Sequence, residues 1–442
     1  MMDMEHYFES LATAVQQVLA AGERFTATLD AEDTDFVRLN RGKVRQPGTV
    51  SQRYMSVRLI DGSRHAEHTL SLSGDLAADS AAVREAVAGL RSTLPDLADD
   101  PLLLLPSDVL STRSVRAASL PPSETIVEEV LRSADGLDLV GIYAAGPVFR
   151  GFANSEGQRN WHATTAFNLQ WSLYHRTDKA VKTGYAGFAW DGPAFEHKMA
   201  QARERLELIG RPSRSLPPGK YRAYLSPSAM EEIAATLCWG GFSGRALQTK
   251  QSALAKMQEG EMLDPRITFT EDTAGGVAPG FQAEGFARPA RVSLVEHGKL
   301  VGSLVSPRTA REFGLAENGA NGAEMPESLA MAGGELPVED ALAALDTGLA
   351  VGNLHYLNYS DRPAGRITGM TRFATFWVEH GKVVAPVDVL RFDDTLYRLL
   401  GDRLEALTQE TEFILDAGTY QSRQLASVRL PGALVSEMAF TL

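Results

Sequence analysis

Two histidines on one helix face, with a glutamate beside them, are what most peptide-cutting metalloenzymes use to hold zinc and activate water. The chain has nine histidines, and only His65 and His68 lie close together in sequence. They lie three residues apart in a predicted strand, where such side chains point to opposite faces of the sheet. Neither His-Glu-x-x-His nor His-Glu-x-x-x-His occurs. The residues by themselves therefore predict no zinc site.

The single cysteine, Cys238, is the candidate thiol nucleophile. A reactive thiol needs a nearby base and a positive local potential, whereas Cys238 lies between Leu237 and Trp239 in a predicted apolar helix. The pattern favours inert packing over catalysis, and a thiol enzyme that uses Cys238 with a distant histidine remains the alternative. One cysteine allows no internal disulfide, which indicates a reducing compartment, the cytoplasm, and excludes multi-cysteine metal frameworks.

Other catalytic motifs are incomplete. Gly-x-Ser-x-Gly is absent, which removes the usual hydrolase elbow. The glycine-rich run 240–244 is followed by Arg245 rather than by the Lys-Ser/Thr of a phosphate-binding loop, and no dinucleotide fingerprint follows a predicted strand. Val-Glu-His-Gly-Lys occurs twice, around His297 and His380, and His-Gly is typical of a hairpin turn because glycine tolerates positive φ.

Charge and hydropathy exclude two classes of partner. The formal net charge is −13, and the arginines form no basic stripe, so nucleic-acid binding is not expected. No run of about 18 apolar residues occurs, so no transmembrane helix is predicted. The first ten residues are acidic, and no apolar signal core follows them, which again favours the cytoplasm.

A length of 442 residues exceeds what one hydrophobic core usually supports. Apolar periodicity predicts helices at 5–22, 81–94, 191–208 and 228–239. Alternation predicts strands at 25–29 and 35–40, and Asp61-Gly62 predicts a hairpin. These elements indicate an α+β protein. The predicted domains are an N-terminal α+β domain at 1–98, a linker at 99–122, a central α+β domain at 123–211 and a β-rich C-terminal domain at 217–442.

Several segments read together resemble the TldD/PmbA family of metallopeptidase subunits, also called the modulator of DNA gyrase family. The N-terminal similarity lies in Phe-Val-Arg-Leu-Asn at 36–40 and in the hairpin at 58–62. The C-terminal similarity begins with Leu-Pro-Pro-Gly-Lys-Tyr-Arg-Ala-Tyr-Leu-Ser-Pro at 216–227 and Ser-Gly-Arg-Ala at 243–246. It continues at 304–311, in the glycine-rich loop after it, and at 376–386.

The resemblance points to one branch of that family. In the TldD branch, a helix carries His-Glu-x-x-x-His, and a cysteine near the C-terminus completes the zinc site. Alignment on Leu225-Ser-Pro227 and Gly244 places the histidines at Ala235 and Gly240 and the glutamate at Thr236. The segment 416–418 resembles the region of the cysteine ligand but has no cysteine. The chain thus resembles the TldE/PmbA branch, with no catalytic or metal residue of its own and unknown substrate-binding residues.

The resemblance implies a two-lobed α+β subunit: an N-terminal lobe of antiparallel sheets covered by helices, and a β-rich C-terminal lobe with a few helices. It implies a role in a TldD/TldE-type zinc metallopeptidase complex that cuts unfolded, extended peptides. The zinc is expected in a TldD-like partner, as a heterodimer, with self-association as the alternative. A non-catalytic homodimeric peptide-binding module and a hydrolase with an unrecognised site are the competing functions.

Overall fold

The N-terminal lobe is built on one long sheet. A computed structural model describes residues 3–176 and 179–441. The strands of this sheet lie in the order β3-β2-β1-β5-β6-β4, and β7 pairs with β6. They are β1 (Glu23–Asn40), β2 (Lys43–Asp61), β3 (Arg64–Ser71), β4 (Thr112–Arg116), β5 (Asp138–Asn154), β6 (Arg159–Arg176) and β7 (Lys179–Gly187).

The pairing within this sheet is antiparallel except between β4 and β6. The predicted hairpin at Asp61-Gly62 is confirmed, since β2 and β3 pair on either side of it. The ranges 1–98 and 123–211 share this sheet because β1 pairs with β5. The segment 99–122, predicted as a linker, contributes β4 to the sheet.

Helices cover the sheet at both ends. They are α1 (Met4–Gln16), α2 (Leu76–Thr93), α3 (Ser123–Ser133) and α4 (Gly192–Ile209). One core cluster joins α1 and α2 to the sheet, and a second joins α3 and α4 to it. The helix predicted at 5–22 ends earlier, at Gln16. The helix predicted after Asp191 is confirmed, with the Asp191 carboxylate accepting a hydrogen bond from the Ala194 amide at 3.0 Å.

The C-terminal lobe is built on a second, larger sheet. Its main path is β11-β10-β9-β12-β18-β16-β14-β13-β8, with β15 beside β14 and β17 beside β18. The strands are β8 (Gly219–Leu225), β9 (Phe269–Glu271), β10 (Val292–Glu296), β11 (Lys299–Leu300), β12 (Ser328–Met331), β13 (Gly348–Asp361), β14 (Arg366–Glu379), β15 (Lys382–Pro386), β16 (Arg391–Thr395), β17 (Leu404–Leu415) and β18 (Ser427–Phe440). Most pairs are antiparallel, and β12–β18 and β8–β13 are parallel.

Short helices pack on this second sheet. They are α5 (Pro227–Cys238), α6 (Gly244–Gln248), α7 (Pro307–Phe313) and α8 (Ala341–Leu345). Single turns of 3₁₀ helix lie at Leu94–Asp96, Ala255–Glu259 and Val338–Asp340, and a π turn lies at Arg398–Asp402. The α+β arrangement of two sheet-rich lobes predicted from the sequence is confirmed. Across residues 3–176 and 179–441, no helix is both long enough and apolar enough to span a bilayer.

Polar contacts join the two lobes. Arg116 of β4 donates to the carbonyls of Ala274 and Gly276, both at 2.6 Å. The buried Gln158 side chain donates to the carbonyl of Gly285 at 2.7 Å. His162 of β6 lies 3.0 Å from the carbonyl of Val277, and burial lowers the pKa of this imidazole to about 4. The N-terminal sheet therefore lies directly on loops of the C-terminal lobe.

Candidate functional site

A cleft of about 840 Å³ lies where the lobes meet. The N-terminal lobe supplies the tip of the β1–β2 hairpin, the start of β5 and the second half of β6, and the C-terminal lobe supplies the end of β17 and the segment after it. Residues that line it include Arg38, Arg45, Gln46, Gln170, Lys182, Asp416, Gly418 and Thr419. Apolar residues such as Leu39, Ile142 and Trp171 also line it, so polar and apolar groups contribute in similar measure. The polar groups suit a ligand that makes hydrogen bonds along its length.

The loop between β17 and β18 forms one wall of the cleft and is tied to the N-terminal sheet. The Asn168 side chain donates to the carbonyls of Leu415 and Asp416 at 3.2 and 3.3 Å. The Arg423 guanidinium donates to the carbonyls of Gly146 and Ala166 at 2.9 and 3.0 Å. Burial lowers the pKa of Arg423, so these bonds must offset the cost of burying its charge. Hydrogen bonds with the N-terminal lobe therefore fix the position of the loop that contains Asp416.

A smaller pocket of about 60 Å³ adjoins this cleft. The two share Asn168, Gln170, Lys182 and Leu415 as lining residues. Helix α5 forms one side of the pocket through Ser228, Glu231 and Glu232, and β13 forms another through Asn353 and His355. Two glutamates, a lysine and a histidine are therefore brought together from three elements that are far apart in sequence.

The start of α5 is fixed by its N-cap. The Ser226 hydroxyl accepts from the Ala229 amide at 3.2 Å and donates to the carbonyl of Gly352 at 2.6 Å, so it ties the helix to β13. Pro227 occupies the first helical turn, where its missing N–H costs nothing. The buried side of the helix is almost wholly apolar and comprises Ala229, Met230, Ile233, Ala234, Leu237 and Cys238 together with Thr236.

The opposite side of α5 carries the polar residues. Ser228, Glu231, Glu232 and Ala235 recur at three- and four-residue spacing, so they share one helix face. The first three line the pocket and are partly exposed, and Ala235 is exposed. This helix therefore presents two adjacent carboxylates to the pocket from an otherwise apolar segment.

The pocket raises the pKa of both glutamates. Burial is the main cause for Glu231, whose pKa rises to about 7, and the neighbouring charges of Glu232, Glu412 and Asp416 raise it further while Lys182 lowers it. Burial also raises the pKa of Glu232, against the charges of Lys182 and His355. Carboxylates whose ionised form is disfavoured in a polar cavity are candidates for a functional role.

Strain in the backbone accompanies this pocket. Tyr356 and Phe373 have φ of 57° and 54°, which aromatic residues rarely adopt. Each lies near a shift in the register between β13 and β14. Phe373 lines the pocket together with His355. Such strain, which costs about 1–3 kcal/mol per residue, tends to occur where function requires a particular shape.

The three positions aligned with the zinc motif do not fit a zinc ion. Ala235 offers a methyl group. The Thr236 hydroxyl is buried and donates to the carbonyl of Glu232 at 2.9 Å, and the Thr236 carbonyl accepts from the Tyr359 hydroxyl at 2.9 Å. Gly240 lies beyond the end of α5, with φ of 80°. None of the three lines the pocket beside α5.

Cys238 has the surroundings of a packing residue. Its side chain belongs to the main core of the C-terminal lobe and is 9% exposed. Burial, with a smaller effect from the charge of Glu271, raises the pKa of the thiol to about 12. A thiol that stays protonated at neutral pH is a poor nucleophile.

The sequence-selected histidines lie apart from this site. His65 and His68 lie in β3, and His65 is 3.1 Å from the Asp100 carboxylate. His297 and His380 have positive φ, as do the glycines that follow them, which confirms the predicted turns between β10 and β11 and between β14 and β15. Within the described ranges, no group of three or more His, Cys, Asp or Glu side chains is placed to hold a metal ion.

Sequence patterns alone do not identify the residues that line the pocket. Glu231-Glu232 interrupts an apolar helix, and this pair was the available signal. Lys182 of β7 and Asn353 and His355 of β13 carry no local signal, because only the fold brings these two strands to α5.

Comparisons with known proteins agree with this architecture. The sequence model described as the PmbA/TldA metallopeptidase C-terminal domain matches residues 218–442. No curated protein matches the chain. Three solved structures of similar fold each cover at least 99% of this chain and are covered over their whole length. They are TldE from Thermococcus kodakarensis (16% identity, TM-score 0.78) and proteins described as modulators of DNA gyrase from Thermotoga maritima (14%, 0.76) and Bacteroides thetaiotaomicron (17%, 0.74).

Proposed function

Since the chain belongs to the PmbA/TldD metallopeptidase family, we propose that it is the zinc-free, TldE/PmbA-like subunit of a TldD/TldE-type peptidase complex. Its task is to assemble with a zinc-bearing TldD-like subunit and to enclose an unfolded peptide beside that subunit's catalytic site. The chain supplies no catalytic residue and no metal ligand to the reaction.

The proposal rests on which residues occupy the zinc-motif positions in α5 and in the turn that follows it. The chain keeps the family's C-terminal domain over residues 218–442, yet Ala235, Thr236 and Gly240 stand where the resemblance expects two histidines and a glutamate. A methyl group, an engaged hydroxyl and a hydrogen cannot replace two imidazoles and a carboxylate. A scaffold retained without its metal chemistry is best explained by assembly and substrate enclosure.

An extended peptide suits the geometry of the N-terminal lobe. Strand β2 pairs with β1 from Lys43 onward, whereas β3 pairs with β2 only from Tyr54 to Asp61. Within the described part of the chain, the outer edge of β2 at 43–52 has no neighbouring strand, and Arg45 and Gln46 of this segment line the cleft. An open edge can hold an extended peptide through main-chain hydrogen bonds, with little selectivity for side chains.

The proposal places the complex in the cytoplasm. The single cysteine, buried and unpaired, agrees with a compartment that keeps thiols reduced.

Reconstitution tests this function. The chain, a TldD-like protein from the same genome and the two together are each incubated with an unfolded peptide. Cleavage is expected only with both present, and it should stop on addition of a chelator or when the glutamate of the partner's His-Glu-x-x-x-His motif is replaced by glutamine. Chelator-sensitive cleavage by this chain alone would overturn the assignment. Peptide binding without any effect on the partner's cleavage would favour the homodimeric binding module.

A further inference from the structure

The pocket beside α5 contains polar groups that the protein does not pair. Glu231 and Glu232 line it, and neither carboxylate forms a hydrogen bond or ion pair with another described residue. In the same residue set, the Asn353 side-chain amide has no hydrogen-bond partner either. Polar groups that line a pocket without protein partners are available to a ligand or to water.

Asn353 is the independent sign of a ligand. The residue is only 9% exposed, and it lines the same pocket as the α5 carboxylates. An amide carries two donor hydrogens and one acceptor oxygen, which match the carbonyl and N–H of a peptide group. No described residue forms a hydrogen bond with this amide, so its nitrogen and its oxygen are available to a group that occupies the pocket.

The charges in the pocket favour a cation. Glu412 also lines it, but this carboxylate is paired with Lys198. Lys182 is then the lysine that faces both Glu231 and Glu232, and its charge acts on each of them. When both glutamates are ionised, two carboxylates against one ammonium leave an excess of negative charge, and Asp416 on the adjacent cleft wall adds to it. A bound cation would neutralise this excess.

The size of the pocket limits the form of that cation. At about 60 Å³ it is far smaller than the adjoining cleft of about 840 Å³. A peptide that runs through the cleft can therefore insert only one end or one side-chain tip.

We propose that this pocket binds a primary ammonium group of a peptide in the cleft, held by Glu231 and Glu232, with the Asn353 amide hydrogen-bonded to the adjoining peptide group. The ammonium can be the peptide's amino terminus or a lysine side chain. This inference rests on the proposed function in taking a peptide as ligand, and it names the chemical group that the site selects.

Calorimetric titration tests the inference with three unstructured probe peptides of alanine, serine and glycine, all amidated at the C-terminus. One has a free amino terminus, one is acetylated, and one is acetylated with a single internal lysine. The wild-type chain is expected to bind the free-amine peptide at least about tenfold more tightly than the acetylated peptide. The acetylated lysine peptide shows which ammonium is used: recovered affinity identifies the side chain, and its absence identifies the amino terminus.

The variants Glu231→Gln and Asn353→Ala complete the test. Glu231→Gln should remove most of the preference for the ammonium, whereas Asn353→Ala should weaken free-amine and acetylated peptides alike. Glu204→Gln, which removes an exposed carboxylate on α4, is the matched control and should leave the preference unchanged. Equal affinity of the wild-type chain for all three peptides would overturn the ammonium site while leaving the proposed peptide-binding function intact. Absence of binding to all three would also overturn the site, and the reconstituted cleavage assay would then decide the proposed function separately.

Discussion

The Arg423 guanidinium donates to the carbonyl of Ala166 at 3.0 Å, which ties a loop of the C-terminal lobe to the centre of the N-terminal sheet. Its second bond goes to Gly146, the residue that pairs with Ala166 across β5 and β6. One side chain therefore clamps two adjacent strands and holds the cleft wall that contains Asp416 against the other lobe.

Arg423→Ala is expected to destabilise the chain by about 2–4 kcal/mol, because a buried carbonyl at Ala166 and a partly buried one at Gly146 lose charge-assisted donors. Arg423→Lys should recover only part of this, since an ammonium lacks the planar fork that reaches both carbonyls. Denaturant unfolding measures the loss, and limited proteolysis should detect faster cleavage within 416–426. Arg205→Ala, at an exposed position on α4, is the control and should stay within about 0.5 kcal/mol. Equal effects of the alanine substitutions at 423 and 205 would contradict the clamp.

Cys238 should resist thiol reagents in the native chain and react once the chain is denatured, because burial raises its pKa to about 12. Cys238→Ser should cost about 1–2 kcal/mol in stability, since it buries a hydroxyl in an apolar core. Cleavage by the reconstituted pair should persist at a temperature where the variant is folded. Rapid native labelling, together with loss of cleavage in a folded variant, would favour the thiol-enzyme alternative.

Zinc should be absent from the isolated chain at stoichiometric levels, because the positions aligned with the motif hold Ala235, Thr236 and Gly240. Elemental analysis of the purified chain, before and after dialysis against zinc, measures this directly. The same preparation of the reconstituted pair should retain about one zinc per pair, as expected for a single catalytic site. One tightly held zinc per isolated chain would refute the prediction.

Much of the fold follows from local sequence signals, and the misses have a physical cause. The sequence predicts two short strands at 25–29 and 35–40, where the structure has one strand, Glu23–Asn40. The residues between the two predicted strands are mostly acidic or polar. In the fold, Glu32 is buried and accepts hydrogen bonds from Thr34 and Gln52. These bonds allow a carboxylate that the sequence alone would assign to a loop to lie within the strand.

The candidate site was less accessible from sequence. Helix α5 and its N-cap could be predicted, since Ser226-Pro227 precedes an apolar segment. The opposite wall could not, because β7 and β13 reach the helix only through the pairing and packing of both sheets. Sequence motifs detect groups that lie close along the chain, and this pocket is assembled from groups that do not.

Glu231→Gln is expected to stabilise the isolated chain by about 1–2 kcal/mol at about pH 8 and to have little effect near pH 4. Burial raises the pKa of Glu231 from 4.5 to about 7, with Glu232, Glu412 and Asp416 raising it and Lys182 lowering it. The folded state therefore binds a proton more readily than the unfolded state, so the contribution of Glu231 to stability is complete below about pH 4.5 and is lost as the pH rises through about 7. Glutamine mimics the protonated acid, so the variant does not lose this stability as the pH rises. The pocket's contact with solvent keeps the gain in stability modest.

Denaturant midpoints of both proteins across this range measure the difference in stability, with Glu204→Gln as the exposed control. A difference that is independent of pH would show that Glu231 is not an unpaired, partly buried carboxylate. A stabilising difference that disappears when a free-amine peptide is bound would mean that Glu231 is kept for binding at the expense of stability.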